Sequence, residues 1–250
     1  MEKLSKNLIR ANAPEEPVRL NKYLSDAGFC SRREADKLIE EGRVFVDGIV
    51  AYLGQKVLPS QVVEADGKVL NRSEELILLA YNKPLGVECT TDPKNPDNIV
   101  DQIHYPMRIY PIGRLDKNST GLILLTNTGE IVNQILKASN YHEKEYVVTV
   151  DQPITKEFLQ NMRSGVTILL EDGTKKVKTR KCEVKQLDRQ TFSIILTQGL
   201  NRQIRRMCQE LGYKVTSLNR IRIMNILLDD LKIGTYRMLT EEEIKKLVSE

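Results

Sequence analysis

PIGRLDKNSTGLILLTNTGE, residues 111–130, sets an Arg-Leu-Asp-Lys run directly ahead of the apolar stretch Leu122 to Thr126. A short, continuous apolar run bounded by turn residues reads as a buried strand. Asp116 then stands at the edge of a sheet, with Arg114 and Lys117 on either side. Cationic neighbours favour the ionised form of a carboxylate, even where solvent is excluded. On these residues alone the alternative is a turn aspartate in a surface ion pair.

Outward from that strand the period changes repeatedly. Leu76 to Tyr81, Tyr146 to Val150, Phe192 to Leu196 and Ile221 to Leu228 read as further strands. Helices are predicted over Glu130 to Ala138, Lys156 to Ser164 and Arg202 to Leu211, and a last one begins at Thr240 with Glu243 as capping-box partner. The segment running through Asn98 is rich in Pro, Asp and Asn and reads as loop. Strands and helices mix without a β-α-β rhythm, which predicts an α+β domain over residues 76–250.

The amino-terminal part has its own pattern. Leu20, Tyr23, Leu24 and Ala27 recur at helical spacing, and Gly28 ends that helix. Ser31 and Glu34 form a capping box for a second helix, which Gly42 stops. Alternation follows: Val44 and Val46, an Asp47-Gly48 turn, then Ile49 and Ala51, the signature of a hairpin. The expected organisation is a flexible tail over 1–17, a helix-helix-hairpin unit over 18–70 and a linker over 71–75. Arg32 and Arg33 occupy the first turn of the second helix, where the macrodipole disfavours cations. A bound phosphate compensates such a placement, and Arg19, Lys22 and Arg43 extend the same basic surface.

The 250 residues suffice for two units with real cores, and the net charge of +4 is mild, so a nucleic-acid partner needs the charge gathered on one face. Cys30, Cys89, Cys182 and Cys208 are scattered without C-x-x-C spacing, which argues against zinc and disulfides and for reduced thiols in the cytoplasm. There is no phosphate loop, dinucleotide fingerprint or H-E-x-x-H, and His104 and His142 are too few for a metal centre. The expectation is a cofactor-free, metal-free protein with no membrane segment, and a monomer.

Two resemblances sharpen this. RLNKYLSDAGFCSRREADKLIEEGRVFVDG, residues 19–48, resembles the RNA-binding module named after small-subunit ribosomal protein S-four. The 111–130 run resembles the second motif of pseudouridine synthases, with three further motifs in order: Asn82 to Gly86, Lys144-Glu145-Tyr146, and QGLNRQIRRM at 198–207. The combination is similar to the group that includes RsuA, RluB, RluE and RluF, with HEKEYVVTVD, QGLNRQIRRMC and RIRIMN closest in wording to the RluF branch.

The resemblance implies a mixed, largely antiparallel catalytic sheet and a reaction in which the uracil N1–C1′ bond breaks, the base turns and C5 bonds to C1′. It implies Asp116 as the catalytic carboxylate, Tyr146 stacked on the target uracil, Arg205 paired with Asp116 in a buried couple, and Ile204 in an apolar wall. Arg114, Leu115, Lys117, Asn201, Arg202 and Gln203 are assigned to RNA contacts, together with Arg19, Lys22, Arg32, Arg33 and Arg43. Arg206 stays open between a solvated face and a structural pair. Lys175 to Lys181 reads as a phosphate strip or a solvated run. The expected partner is a stem-loop of large-subunit ribosomal RNA, where extruding a base costs least; transfer RNA, a small-subunit site and a non-catalytic assembly factor are the alternatives. A glycosidase is disfavoured, since no second carboxylate accompanies Asp116.

Overall fold

The computed structural model describes residues 16–71, 76–136, 142–171 and 173–249. The predicted tail up to residue 15 and most of the predicted linker lie outside these. The chain divides into two compact units, one reaching Ile77 and including Tyr105–Ile109 and Asn127–Gly129, the other holding the remainder.

In the first unit β1 (Val18–Arg19) leads into α1 (Leu20–Asp26) and α2 (Arg32–Glu40). Five short strands follow: β2 (Val44–Val46), β3 (Ile49–Val50), β4 (Lys56–Val57), β5 (Val63–Ala65) and β6 (Lys68–Leu70). β3, β2, β5 and β6 form an antiparallel sheet in that order, and β1 pairs with β4. The capping box forms as the sequence dictates: Glu34 N donates to Ser31 Oγ at 3.2 Å, and Ser31 N donates to a Glu34 carboxylate oxygen at 3.4 Å. Asp47 and Gly48 both take positive φ, 51° and 78°, the conformation that a two-residue hairpin turn demands. Leu20, Leu24, Ala35, Val44, Val57, Val63 and Ala65 close the core. Lys68–Leu70 adds a further strand at the end of this unit; a second Asp-Gly pair, Asp66-Gly67, turns the chain into it with φ of 48° and 73°.

The second unit runs β7 (Leu78–Lys83), α3 (Ile99–Ile103), β8 (Tyr110–Ile112), β9 (Thr120–Thr126), α4 (Gly129–Leu136), β10 (Lys144–Val150) and α5 (Lys156–Ser164). Then come β11 (Thr167–Leu169), β12 (Lys176–Lys178), β13 (Glu183–Gln186), β14 (Thr191–Leu196), α6 (Gln203–Glu210), β15 (Val215–Ile223), β16 (Ile226–Leu227), β17 (Tyr236–Met238) and α7 (Glu241–Ser249). Its sheet has the order β13-β14-β10-β15-β9-β7-β17, with β16 added on β15 and β8 on β9. The β15–β9 pair is parallel and the other ladders among the described residues are antiparallel, so the mixed, largely antiparallel sheet is observed.

Every residue of β7 is buried, Asn82 and Lys83 included, as is β9 from Gly121 to Thr126, which is why Leu78 to Ala80 and Leu122 to Leu125 read as unbroken apolar stretches. One half of the unit closes over Val148, Phe158, Met162, Ile168, Phe192, Ile194, Met207 and Cys208, with the Phe158 and Phe192 rings edge to face at 5.4 Å. The strand expected over Ile221 to Leu228 is corrected. β15 begins six residues earlier, and a left-handed Met224, φ 50°, turns it into β16. α3 was not foreseen; Asn98 caps it by accepting from Asp101 N at 2.9 Å. The Thr240–Glu243 capping box of α7 is present in both directions.

Candidate active site

Asp116 sits in a turn four residues ahead of the first residue of β9. Ser119 N donates to its carbonyl at 3.0 Å, closing the turn and leaving the carboxylate facing a cavity of about 870 Å³. β9 is held rigidly on both sides by β7 and β15, so the turn is fixed where the parallel junction interrupts the antiparallel ladders. The carboxylate keeps 32 % of its surface open.

The cations near Asp116 are not its chain neighbours. Lys117 turns away and makes an ion pair with Asp97 at 2.7 Å, which raises its pKa. Arg114 is exposed at the cavity rim. Arg202 Nη1 and Arg205 Nε instead approach Asp116 Oδ2, each at 3.8 Å, from the start of α6. The buried Asp–Arg couple is therefore corrected to a loose, half-open contact. Arg205 spends its shorter bonds elsewhere: Nη2 donates to Asn118 O at 2.6 Å and to Ser119 Oγ at 3.3 Å, and Nη1 to Val215 O at 3.3 Å. It binds the turn that carries Asp116 rather than clamping the carboxylate. Burial, with Arg202 beside it, pulls its pKa down.

Tyr146 is half-buried in the cavity wall and also packs against the core of this unit. Ile204, 5 % exposed, lines the same wall. Three residues assigned to RNA contacts are otherwise engaged. Leu115 is buried, its N–H donating to Cys89 Sγ at 3.3 Å. Gln203 is 4 % exposed, accepting from Leu200 N and donating to Met207 Sδ. Asn201 Oδ1 accepts from Arg206 Nη2 at 3.0 Å. Arg206 also donates to Leu169 O at 2.6 Å, which settles it as a structural tie between α6 and the β11–β12 hairpin. Arg202 is exposed and takes a left-handed backbone, φ 50°, at the cap of α6.

In the first unit Arg19, Arg32 and Arg33 are exposed, and Lys22 pairs with Asp26 at 3.7 Å. Arg43 is gripped by both Asp66 oxygens at 2.7 Å and by Glu41 at 2.8 Å, so it is less available for phosphate than its exposure suggests.

Several site residues went unassigned in the sequence. Arg220 is 3 % exposed in the cavity wall, with its guanidinium carbon 6.0 Å from the centre of the Tyr146 ring. Lys83, without exposed surface, donates to Pro84 O at 2.9 Å and Val87 O at 2.7 Å, and burial lowers its pKa. Lys144 lines the cavity; burial, helped by Arg220, pushes its pKa down to about 8. The signal for Arg220 was its alternation with Leu218 on an inward strand face, hidden because the predicted strand began at Ile221.

The site thus sets Asp116 ahead of a central strand of a mixed sheet, with Tyr146 in the cavity wall, Arg202 and Arg205 at the start of α6, and a second carboxylate, Glu88, lining the same cavity. Residues 77–210 match the family described as RNA pseudouridylate synthase, and residues 18–63 match the S4 domain. The chain belongs to the RNA pseudouridylate synthase family. It is 52 % identical over 233 residues to the dual-specificity RNA pseudouridine synthase RluF of Escherichia coli K12, covering 92 % of this chain and 78 % of that protein. It is 40 % identical to the ribosomal large subunit pseudouridine synthase B of Bacillus subtilis, covering 92 % of this chain and 95 % of that one. A crystal structure described as a pseudouridylate synthase superposes with a TM-score of 0.66 at 31 % identity, covering 92 % of this chain and all of the other.

Proposed function

We propose that this synthase isomerises a uridine in a stem-loop of large-subunit ribosomal RNA, with Asp116 as the catalytic carboxylate, Tyr146 stacked on the extruded uracil and Ile204 beside it. The observation that carries the reading is the position of Asp116: fixed in the turn ahead of β9, open to the cavity, and 3.8 Å from the guanidinium groups of Arg202 and Arg205. Arg205 is a positioning residue, acting through the turn it binds. Exposed Arg114 and Arg202 at the cavity, and Arg19, Arg32 and Arg33 on the first unit, take phosphate contacts. Charge of this kind gives affinity and register, while the shape of the RNA and the ease of extruding its base select the site. The same reading takes the protein as a cytoplasmic monomer.

A second substrate is favoured by one finding: the 52 % identical E. coli relative is named a dual-specificity enzyme. Transfer RNA is the natural candidate. Purified protein and an Asp116→Asn variant are incubated with unmodified ribosomal and transfer RNA, and pseudouridines are mapped by carbodiimide labelling and primer extension. Stops that appear with wild type only support the assignment and name the nucleotides. Salt-sensitive binding without a stop on any RNA points to an assembly factor instead.

A further inference from the structure

The ladders of the central sheet bring four residues into one row. Tyr146 on β10 is the register partner of Arg220 on β15, Arg220 of Gly121 on β9, and Gly121 of Lys83 on β7. Register partners present their side chains to one face. Gly121 leaves a gap in the row, and it must: a Cβ there would overlap Arg220 O and Asn219 Oδ1. The pairing of β10 with β15 slips between Glu145 and Tyr146, so that Ile221 bulges out and Arg220 is re-aimed beside the tyrosine.

Arg220 is poorly satisfied for so buried a cation. Nε donates to Leu122 O at 2.6 Å, but the buried Nη2 has no acceptor, and no carboxylate pairs with the group among the described residues. A guanidinium offers five N–H donors and cannot shed its charge. Leaving it unpaired in a cavity wall is costly unless an anionic partner arrives. Phosphate has the exposed Arg114 and Arg202 of the same cavity to meet it, whereas Arg220, 3 % exposed, stands in the row with Tyr146.

We propose that Arg220 is a further catalytic residue of this reaction: its unsatisfied edge donates to a carbonyl oxygen of the target uracil and stabilises the negative charge that the base carries once its glycosidic bond breaks. This rests on the synthase reading above. As N1–C1′ breaks, the bonding pair leaves with the base and spreads over N1 and the carbonyl oxygens. The base turns, C5 bonds to C1′, and the hydrogen lost from C5 is balanced by one gained at N1. Arg220 transfers no proton; its fixed charge acts on the intermediate more strongly than on the neutral base, which is the condition for lowering the barrier.

The test uses the full chain and a stem-loop on which wild type is active, carrying uridine, 2-thiouridine or 4-thiouridine at the target. Single-turnover rates and RNA affinities are measured for wild type, Arg220→Gln and Arg220→Lys. Arg220→Gln is expected to lower the rate at saturating RNA by about 10²–10³-fold, the range for loss of one charge-stabilising donor, with affinity changed by less than about 3-fold. One thio substitution slows wild type yet leaves Arg220→Gln unaffected, because sulfur weakens a bond the variant no longer makes. Arg220→Lys recovers part of the rate and serves as the comparison if the glutamine variant does not fold. Equal slowing of wild type and variant by both thio RNAs would overturn the inference, as would a loss confined to affinity. A wild-type protein inactive on every RNA overturns the synthase reading along with it.

Discussion

Asp116 illustrates how far a local sequence argument reaches. The turn and the buried strand after it are written in residues 111–130, and the structure holds both. The identity of its charged neighbours is not, because Arg202 and Arg205 arrive from α6, more than eighty residues away, while the adjacent Lys117 leaves for Asp97. Arg205→Ala should cost about 2 kcal/mol in denaturant unfolding, the scale for losing charge-assisted hydrogen bonds at a half-buried site, and should slow turnover by disordering the turn. Arg205→Lys, which lacks the fork, should recover less than half of that stability. Lys144 gives a pH prediction. Its folded pKa, about 8, lies below the ordinary lysine value of 10.5, so between those limits the unfolded chain binds more protons. Its contribution to stability therefore rises with pH across that window and is a penalty below it. Lys144→Met should raise the thermal midpoint at pH 7, and the gain over wild type should shrink as pH climbs towards 10. A gain that does not change with pH would show that the amine is not desolvated.

Elements were legible where a period or a cap announces them. The helix over Lys156 to Ser164 is found as read, with Thr155 capping it and Gly165 ending it. Short strands such as β11, β12, β13 and β17 escaped because three or four residues carry too little alternation, and their pairing depends on partners distant in the chain. β15 shows a different failure: its outer half is polar, Thr216 and Ser217 exposed, so the apolar signal starts late. α6 and the β11–β12 hairpin are joined by Arg206 at Leu169 O. Arg206→Ala should destabilise the chain by about 1 kcal/mol and increase amide exchange across 167–178, leaving the chemical step within about 3-fold of wild type. Unchanged exchange would mean that packing against Met207 and Ile168 alone fixes the hairpin.

For the whole molecule, RNA affinity should be largely electrostatic. Arg32→Ala and Arg33→Ala should each weaken binding similarly across RNA sequences and reduce the slope of log affinity against log salt by up to about one, measured by filter binding or anisotropy. The catalytic rate at saturating RNA should hold. A changed rate would place these arginines in the chemistry. The module over residues 18–63 and the catalytic family over 77–210 are each recognisable in the chain by themselves, since each carries its own core and caps. The row of Tyr146, Arg220, Gly121 and Lys83 was less visible, because it is assembled by register across strands that no single stretch contains. α6 imposes one more condition. Arg205 and Arg206 are consecutive and reach in different directions, one to the Asp116 turn and one to the hairpin, as the roughly 100° step per residue of an α-helix requires. Point changes on its outer face at Gln209 and Glu210 leave that division intact, but a single insertion or deletion ahead of Arg205 would swing both side chains off their partners. Length variation in descendants of this sequence is thereby barred from the stretch between Arg202 and Arg206 and diverted to the hairpin tip, where a longer or shorter loop disturbs neither.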